Sequence, residues 1–291
     1  MKTLARPICM VLSLLLFWQC DSDVTGKLQS DYAGDRLTLS GFFSVDTISL
    51  TVGKSTDPFS PIERGELLAE NPQVYIEEEG GTFQFKLTLS DSVHFNAGKI
   101  GLIAGKKYRI VASAENLDAV ASNFIQIPDP LSIQNLTFKN LPVSGRITNE
   151  LSFDIQDGSN PDYYFFDIAI KKANLLQTAP FWVPEDGILG NCYATFVFTD
   201  LCFNGKKTNL TYRVSPDGYF KGFNGPQVAD SIVIRFGGIS EEAYRSQRAM
   251  PVDDGFIEGI NEPPLTYSNI KNGYGVVFSH SLKDYTIPVS K

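Results

Sequence analysis

From residue 36 onward, apolar and polar residues alternate in short runs, the period of a strand with one buried and one wet face. Residues 46–52 show it most cleanly, with Ile48, Leu50 and Val52 on one side and Thr47, Ser49 and Thr51 on the other. Comparable strands are expected over residues 36–43, 73–77, 82–87, 107–112 and 120–125. Gly80-Gly81 between two of these runs reads as a hairpin turn. Residues 53–61 form a loop rich in breakers, and residues 62–71 have room for a short helical turn.

The alternation stops at Pro128-Asp129-Pro130, where two prolines in three residues cannot donate to a sheet ladder and stiffen the connection. A second block of strands follows over residues 132–138, 150–155, 163–170, 195–199 and 231–236, with closing strands at 273–278 and 285–289. Within it one segment has helical punctuation, from residue 240 to 250. Ser240 caps it, Glu241 and Glu242 occupy the first turn, Ile239 and Tyr244 form a hydrophobic staple, and Pro251 stops it. The pattern predicts a mainly β protein: two antiparallel β-sandwich domains of Ig-like or transthyretin-like type in tandem, over residues 33–128 and 131–291, with a short helix in the second.

Ahead of the strands lies a leader. Lys2 and Arg6 supply a basic start, and residues 8–18 form an apolar run about half the length that spans a bilayer as a helix. Cys20 follows directly, where a lipoprotein signal places the cysteine that receives diacylglycerol. Gln19 and Phe17 depart from the Gly, Ala or Ser and the Leu that commonly precede such a cysteine. Residues 1–19 therefore read as a lipoprotein signal peptide. Cys20 reads as the site of lipid and palmitate attachment, and residues 20–32 as a polar tether. Asp21-Ser22-Asp23 behind the cysteine resemble the surface-export signal of Bacteroidota lipoproteins, and serve equally as a solvated spacer. The expected location is the outer membrane, lipid-anchored, at the cell surface.

Charge narrows the partners. Losing Lys2 and Arg6 with the leader takes the formal charge from −8 to −10, which excludes nucleic acid and electrostatic docking on anionic lipid. The acyl group must then make the membrane contact. Of four cysteines, Cys192 and Cys202 remain in the folded part. As ends of one strand they would stand about 30 Å apart, so a disulfide requires the chain to fold back between them.

Four stretches carry a resemblance to a known family. They are residues 105–108 with Ile127-Pro128-Asp129-Pro130; residues 152–157 with Tyr163-Tyr164; residues 198–200 with Phe203-Asn204-Gly205-Lys206; and residues 239–244 with 267–276. In these the chain resembles the Bacteroidota outer-membrane lipoproteins catalogued as a domain of unknown function, frequently encoded beside TonB-dependent transporters. The resemblance spans nearly the whole mature chain and implies a transporter barrel as partner, but brings no reaction. Asn272-Gly273 and Gly275 in the last stretch read first as turn chemistry.

Candidate chemistry is sparse. His94 and His280 are lone histidines, Gly53-Lys54-Ser55-Thr56 lacks the upstream glycine of a phosphate loop, and Asp253-Asp254-Gly255 lacks calcium-loop spacing. Neither a catalytic residue, a metal nor a cofactor is assigned. Trp182 between Pro180 and Pro184, with Tyr219 and Phe223 in a second loop, are the candidate binding aromatics. The expected function is that of a non-enzymatic accessory to an outer-membrane transporter. A structural or adhesive surface protein is the alternative, and a carbohydrate-active hydrolase the third reading.

Overall fold

A computed structural model describes residues 34–57, 67–143, 146–160, 162–179, 181–182, 196–214, 219–222, 225–228, 230–249 and 267–288. The leader, the tether and the first half of the expected helical turn at 62–71 lie outside them. The architecture is mainly β with several sheets, and a single α-helix occurs among the described residues.

Strands occur over each stretch where alternation predicted one, and over several where it predicted none. They include β1 (Leu37–Phe43), β2 (Ile48–Lys54), β3 (Gln73–Glu78), β4 (Gln84–Lys86), β5 (His94–Ala97), β6 (Lys107–Ala114), β7 (Leu117–Ser122) and β8 (Ile125–Gln126). β3 and β4 pair across Gly80, whose φ of +64° supplies the turn conformation that a side chain disfavours. The second block contributes β9 (Gln134–Val143), β10 (Arg146–Gln156), β11 (Tyr163–Lys172), β12 (Leu175–Thr178), β13 (Phe181–Trp182), β14 (Val197–Thr199), β15 (Lys207–Val214), β16 (Tyr219–Gly222), β17 (Gly225–Val228) and β18 (Ser231–Ile239). Then follow α1 (Glu241–Arg248), β19 (Ile270–Lys271) and β20 (Val277–Pro288). β5 and β15 had no clear sequence signal, being short or strongly polar on one face.

The two expected closing strands are one. β20 runs unbroken for 12 residues and changes partner along its length. Its first residues, Val277–Ser279, pair parallel with Gly41–Phe43 of β1, while residues 280–288 pair antiparallel with β18. The result is one eight-stranded sheet in the order β12-β11-β18-β20-β1-β2-β5, with β14 also on β11. Odd-numbered residues of β20 all face the same side, so one face of the shared sheet carries two cores.

In the first core, Leu37, Leu39, Phe43, Ile48, Leu50 and Phe95 pack against Val74, Ile76, Tyr108 and Ile110 of the six-stranded sheet β19-β7-β6-β3-β4, with β8 also on β6, and Val277 joins them. In the second, Tyr164, Phe166, Ile234 and Phe236 pack against Phe153, Leu210 and Tyr212 of the sheet β13-β15-β10-β9. Phe166 lies flat on Tyr212 at 3.9 Å between ring centres, and Phe236 meets Phe153 edge-on at 5.3 Å.

Three polar residues secure the partner switch. Buried Ser279 donates its hydroxyl to the carbonyl of Gln126 at 2.5 Å, and its backbone exchanges bonds with Ser240, whose hydroxyl also caps α1 through Ala243 N–H. Asn269, 5 % exposed, uses its side-chain amide like a strand residue, donating to Val277 C=O at 2.7 Å and accepting from Val277 N–H at 3.0 Å. Tyr274 and Val276 carbonyls accept from Leu39 and Gly41 N–H, seating residues 274–276 on β1. Gly275 is required there: its φ is +119°, and a Cβ would lie 2.2 Å from the Leu39 carbonyl oxygen. Gly275→Ala is expected to lower stability by about 2 kcal/mol or more, measured by equilibrium urea unfolding. An alanine variant as stable as the parent would show that this segment does not depend on close approach to β1.

Candidate functional site: a carboxylate cluster beside the inter-block linker

Two of the stretches noted above meet at one end of the second core. Asp157 ends the run that begins in β10, Asp162 immediately precedes β11, and Asp200 follows β14. One carboxylate oxygen from each lies within 4.8 Å of the others. Local structure explains the convergence. β11 pairs Tyr163 with Thr199 of β14, bringing residues 162 and 200 side by side, and Asp200 N–H donates to Asp162 C=O at 3.3 Å. The turn after Asp200 closes through Phe203 N–H to Asp200 C=O at 2.7 Å and then Lys206 N–H to Phe203 C=O at 2.9 Å.

Most of the charge is met by the fold's own donors. Asp157 accepts the Tyr164 hydroxyl on one oxygen and Gly205 N–H, at 2.8 Å, on the other. Gly205 has φ +73°, which aims that amide inward. Asp200 accepts Asp162 N–H at 3.0 Å. Burial, then the donation to Asp157, pushes the Tyr164 phenol well above its ordinary range. Among the described residues the Asp162 carboxyl has no comparable donor. Burial, then repulsion from Asp157, Asp200 and the linker's Asp129, raises it to about 6. Burial raises Asp200 as well. These three side chains are the described residues that could hold a hard divalent cation, which prefers oxygen ligands.

The cluster does not use the residues singled out from sequence. Cys20 and Cys192 lie outside the described residues, as do Phe223 and Asp253-Asp254. Trp182 stands in β13, opposite Arg213 of β15, and Tyr219 in β16, opposite Val228; these are strand positions on two different sheets. Cys202 sits in the turn after Asp200 and is disulfide-bonded. His94 is exposed and holds Asp91 at 2.8 Å, a local turn pair. His280 lies elsewhere, on the outer face of β20. Asp157, Asp200 and Tyr164 all fall within the stretches that carried the family resemblance, but their separation of some forty residues along the chain hid the contact.

The family model described as a domain of unknown function, DUF4249, matches residues 22–286. The chain belongs to that family. Among solved structures, the FN1–FN3 domains of chicken CNTN1 are similar over 89 % of the DUF4249 chain and 69 % of theirs, at 10 % identity and a TM-score of 0.28. A pullulanase from Anoxybacillus sp. LM18-11, solved with maltotriose, is similar over 69 % of this chain and 24 % of its own, at 8 % identity and a TM-score of 0.21. No curated protein matches.

The raised Asp162 carboxyl has a consequence for stability. Between about pH 4 and pH 6 the folded protein binds more protons here than the unfolded chain, so this residue's contribution to stability falls as pH rises through that window. Asp162→Asn is expected to stabilise the protein at pH 7.5 by on the order of 1 kcal/mol, a figure well below the full shift because the group is partly solvated. At pH 4 the gain should vanish. Urea midpoints at the two pH values check this; equal effects at both would contradict it.

Proposed function

We propose that this DUF4249 protein is a lipid-anchored outer-membrane protein, held through acylated Cys20 at the cell surface, and a non-enzymatic accessory partner of a TonB-dependent-type transporter. The observation that carries the reading is the family match over residues 22–286, which takes up the chain two residues past Cys20 and runs almost to its end. The leader supports the anchor: a basic start, a short apolar run and a cysteine. Among the described residues no helix is long and apolar enough to cross a membrane; in this reading the acyl chains on Cys20 supply the attachment.

The carboxylate cluster favours a binding or scaffolding role over acid–base chemistry. Two of its three members are occupied by the fold's own donors, Tyr164 and Gly205 on Asp157 and the Asp162 amide on Asp200, the arrangement that stabilises a fold. The two sandwich cores suit Ig-like or transthyretin-like modules, a common build for surface proteins that act through contact. We take Cys192 as the partner of the disulfide-bonded Cys202.

Metabolic labelling with an alkyne-tagged palmitate tests the anchor: wild type should be labelled in the outer-membrane fraction, and Cys20→Ser should lose both label and membrane association. Purification in mild detergent followed by mass spectrometry tests the partner. A transporter barrel should co-elute with wild type, and its absence would overturn the accessory role.

A further inference from the structure

The shared sheet has a second face. Odd residues of β20 serve the cores, so even residues point the other way, and there Phe278, His280 and Leu282 are only half-buried. The register sets Phe42 beside Phe278, Ile239 opposite His280 and, further along, Arg235 opposite Asp284. Gly237 lies between Phe165 and Leu282, so the middle of that row has no side chain. α1 covers one end of the face, burying Ala243 alone, and stands as a wall. Between α1 and Phe42 this leaves a cleft of about 710 Å³, within the size range of small-molecule sites.

We propose that this cleft binds a small, uncharged, ring-bearing molecule with one hydrogen-bonding group beside its ring. Three phenylalanines line it from three strands, Phe42, Phe165 and Phe278. Phe42 also leans on the His280 imidazole at 4.9 Å between ring centres. Flat apolar walls of this kind receive rings.

Charge argues for a neutral ligand. Arg235 is held by both oxygens of Asp284, at 2.8 and 3.0 Å, and Lys283 lies over the Tyr285 ring at 5.2 Å, so the cations at the rim already have partners. His280 itself is uncharged near neutrality, because burial and then Arg235 lower it to about 4. Its Nδ1 is the second pointer: the atom is shut off from solvent and has no hydrogen-bond partner among the described residues. Buried polar atoms in folded proteins are almost always paired. A hydroxyl or amide brought into the cleft beside a ring supplies the missing bond once the imidazole turns that edge toward it.

The site needs neither the membrane anchor nor a transporter, so it can be tested on the full mature chain with Cys20→Ser in detergent-free buffer. Three probes separate the alternatives: 2-naphthol, uncharged with one hydroxyl; naphthalene, lacking the hydroxyl; and 2-naphthoate, charged. Fluorescence titration should show one saturable 2-naphthol site, with naphthalene and 2-naphthoate each at least tenfold weaker. Gln247→Trp, an exposed α1 residue at the cleft wall, should block binding at least tenfold with the melting temperature unchanged. His280→Phe should bring 2-naphthol down to the affinity of naphthalene. Tightest binding of 2-naphthoate, 2-naphthol binding unaffected by Gln247→Trp, or no saturable binding of any probe would overturn the proposal.

Discussion

One strand serves two sandwiches, and the rest of the structure follows from it. β20 begins as the parallel neighbour of β1 and ends as the antiparallel neighbour of β18, with no break and no change of face. Because side chains alternate strictly along a strand, an uninterrupted β20 forces both cores onto one side of the eight-stranded sheet. Val277 enters the first core, while Tyr285 and Ile287 flank the second. A slip of one residue in β20 would turn all three out into solvent. The polar contacts of Ser279, Ser240 and Asn269 therefore stand at the point where the register of both halves is set.

The linker is drawn into the same junction. Pro128 approaches β18 so closely that a Cβ on Gly238 would lie 2.7 Å from the proline ring. Gln126 is tied to Ser279, and Asp129 adds its charge to the Asp157–Asp162–Asp200 group. The carboxylates, the linker and the end of β18 thus meet near the strand that joins the two blocks. On the opposite face of that sheet lie the helix and the aromatic cleft, to which β20 contributes the even-numbered positions that the cores leave over. Two faces of one strand carry two different kinds of chemistry.

Local pattern gave much of this away. Alternation located β1, β2, β3, β6, β11 and β18, and Ser240, Glu241 and Glu242 marked the helix start where it occurs. These features depend on neighbours in sequence, so a single chain reveals them. Partnership between strands far apart is another matter. Residues 273–278 and 285–289 read as two finishing strands because the intervening His280, Ser281, Lys283 and Asp284 break the apolar alternation. His280 and Asp284 lie on the outer face, where Arg235 and Asp284 pair across the sheet, while Ser281 and Lys283 fall on the core side between Val277 of the first core and Tyr285 of the second. The acidic group was hidden for the same reason: Asp157 and Asp200 lie far apart in sequence, and it takes the β11–β14 pairing to set Asp200 beside Asp162 and the Gly205 amide to hold Asp157 there. Trp182 and Tyr219 stood out as aromatics in proline- and glycine-rich surroundings, yet both sit in strands.

Amide hydrogen exchange across the full chain, with and without Ser279→Pro, tests the central claim most directly. Proline at the position where β20 changes partner removes a buried backbone donor and disrupts the strand on both sides. The account predicts that protection falls in both halves, in β1 and β2 as well as in β18 and β11. Loss of protection confined to either half, with the other exchanging as in the parent protein, would contradict it.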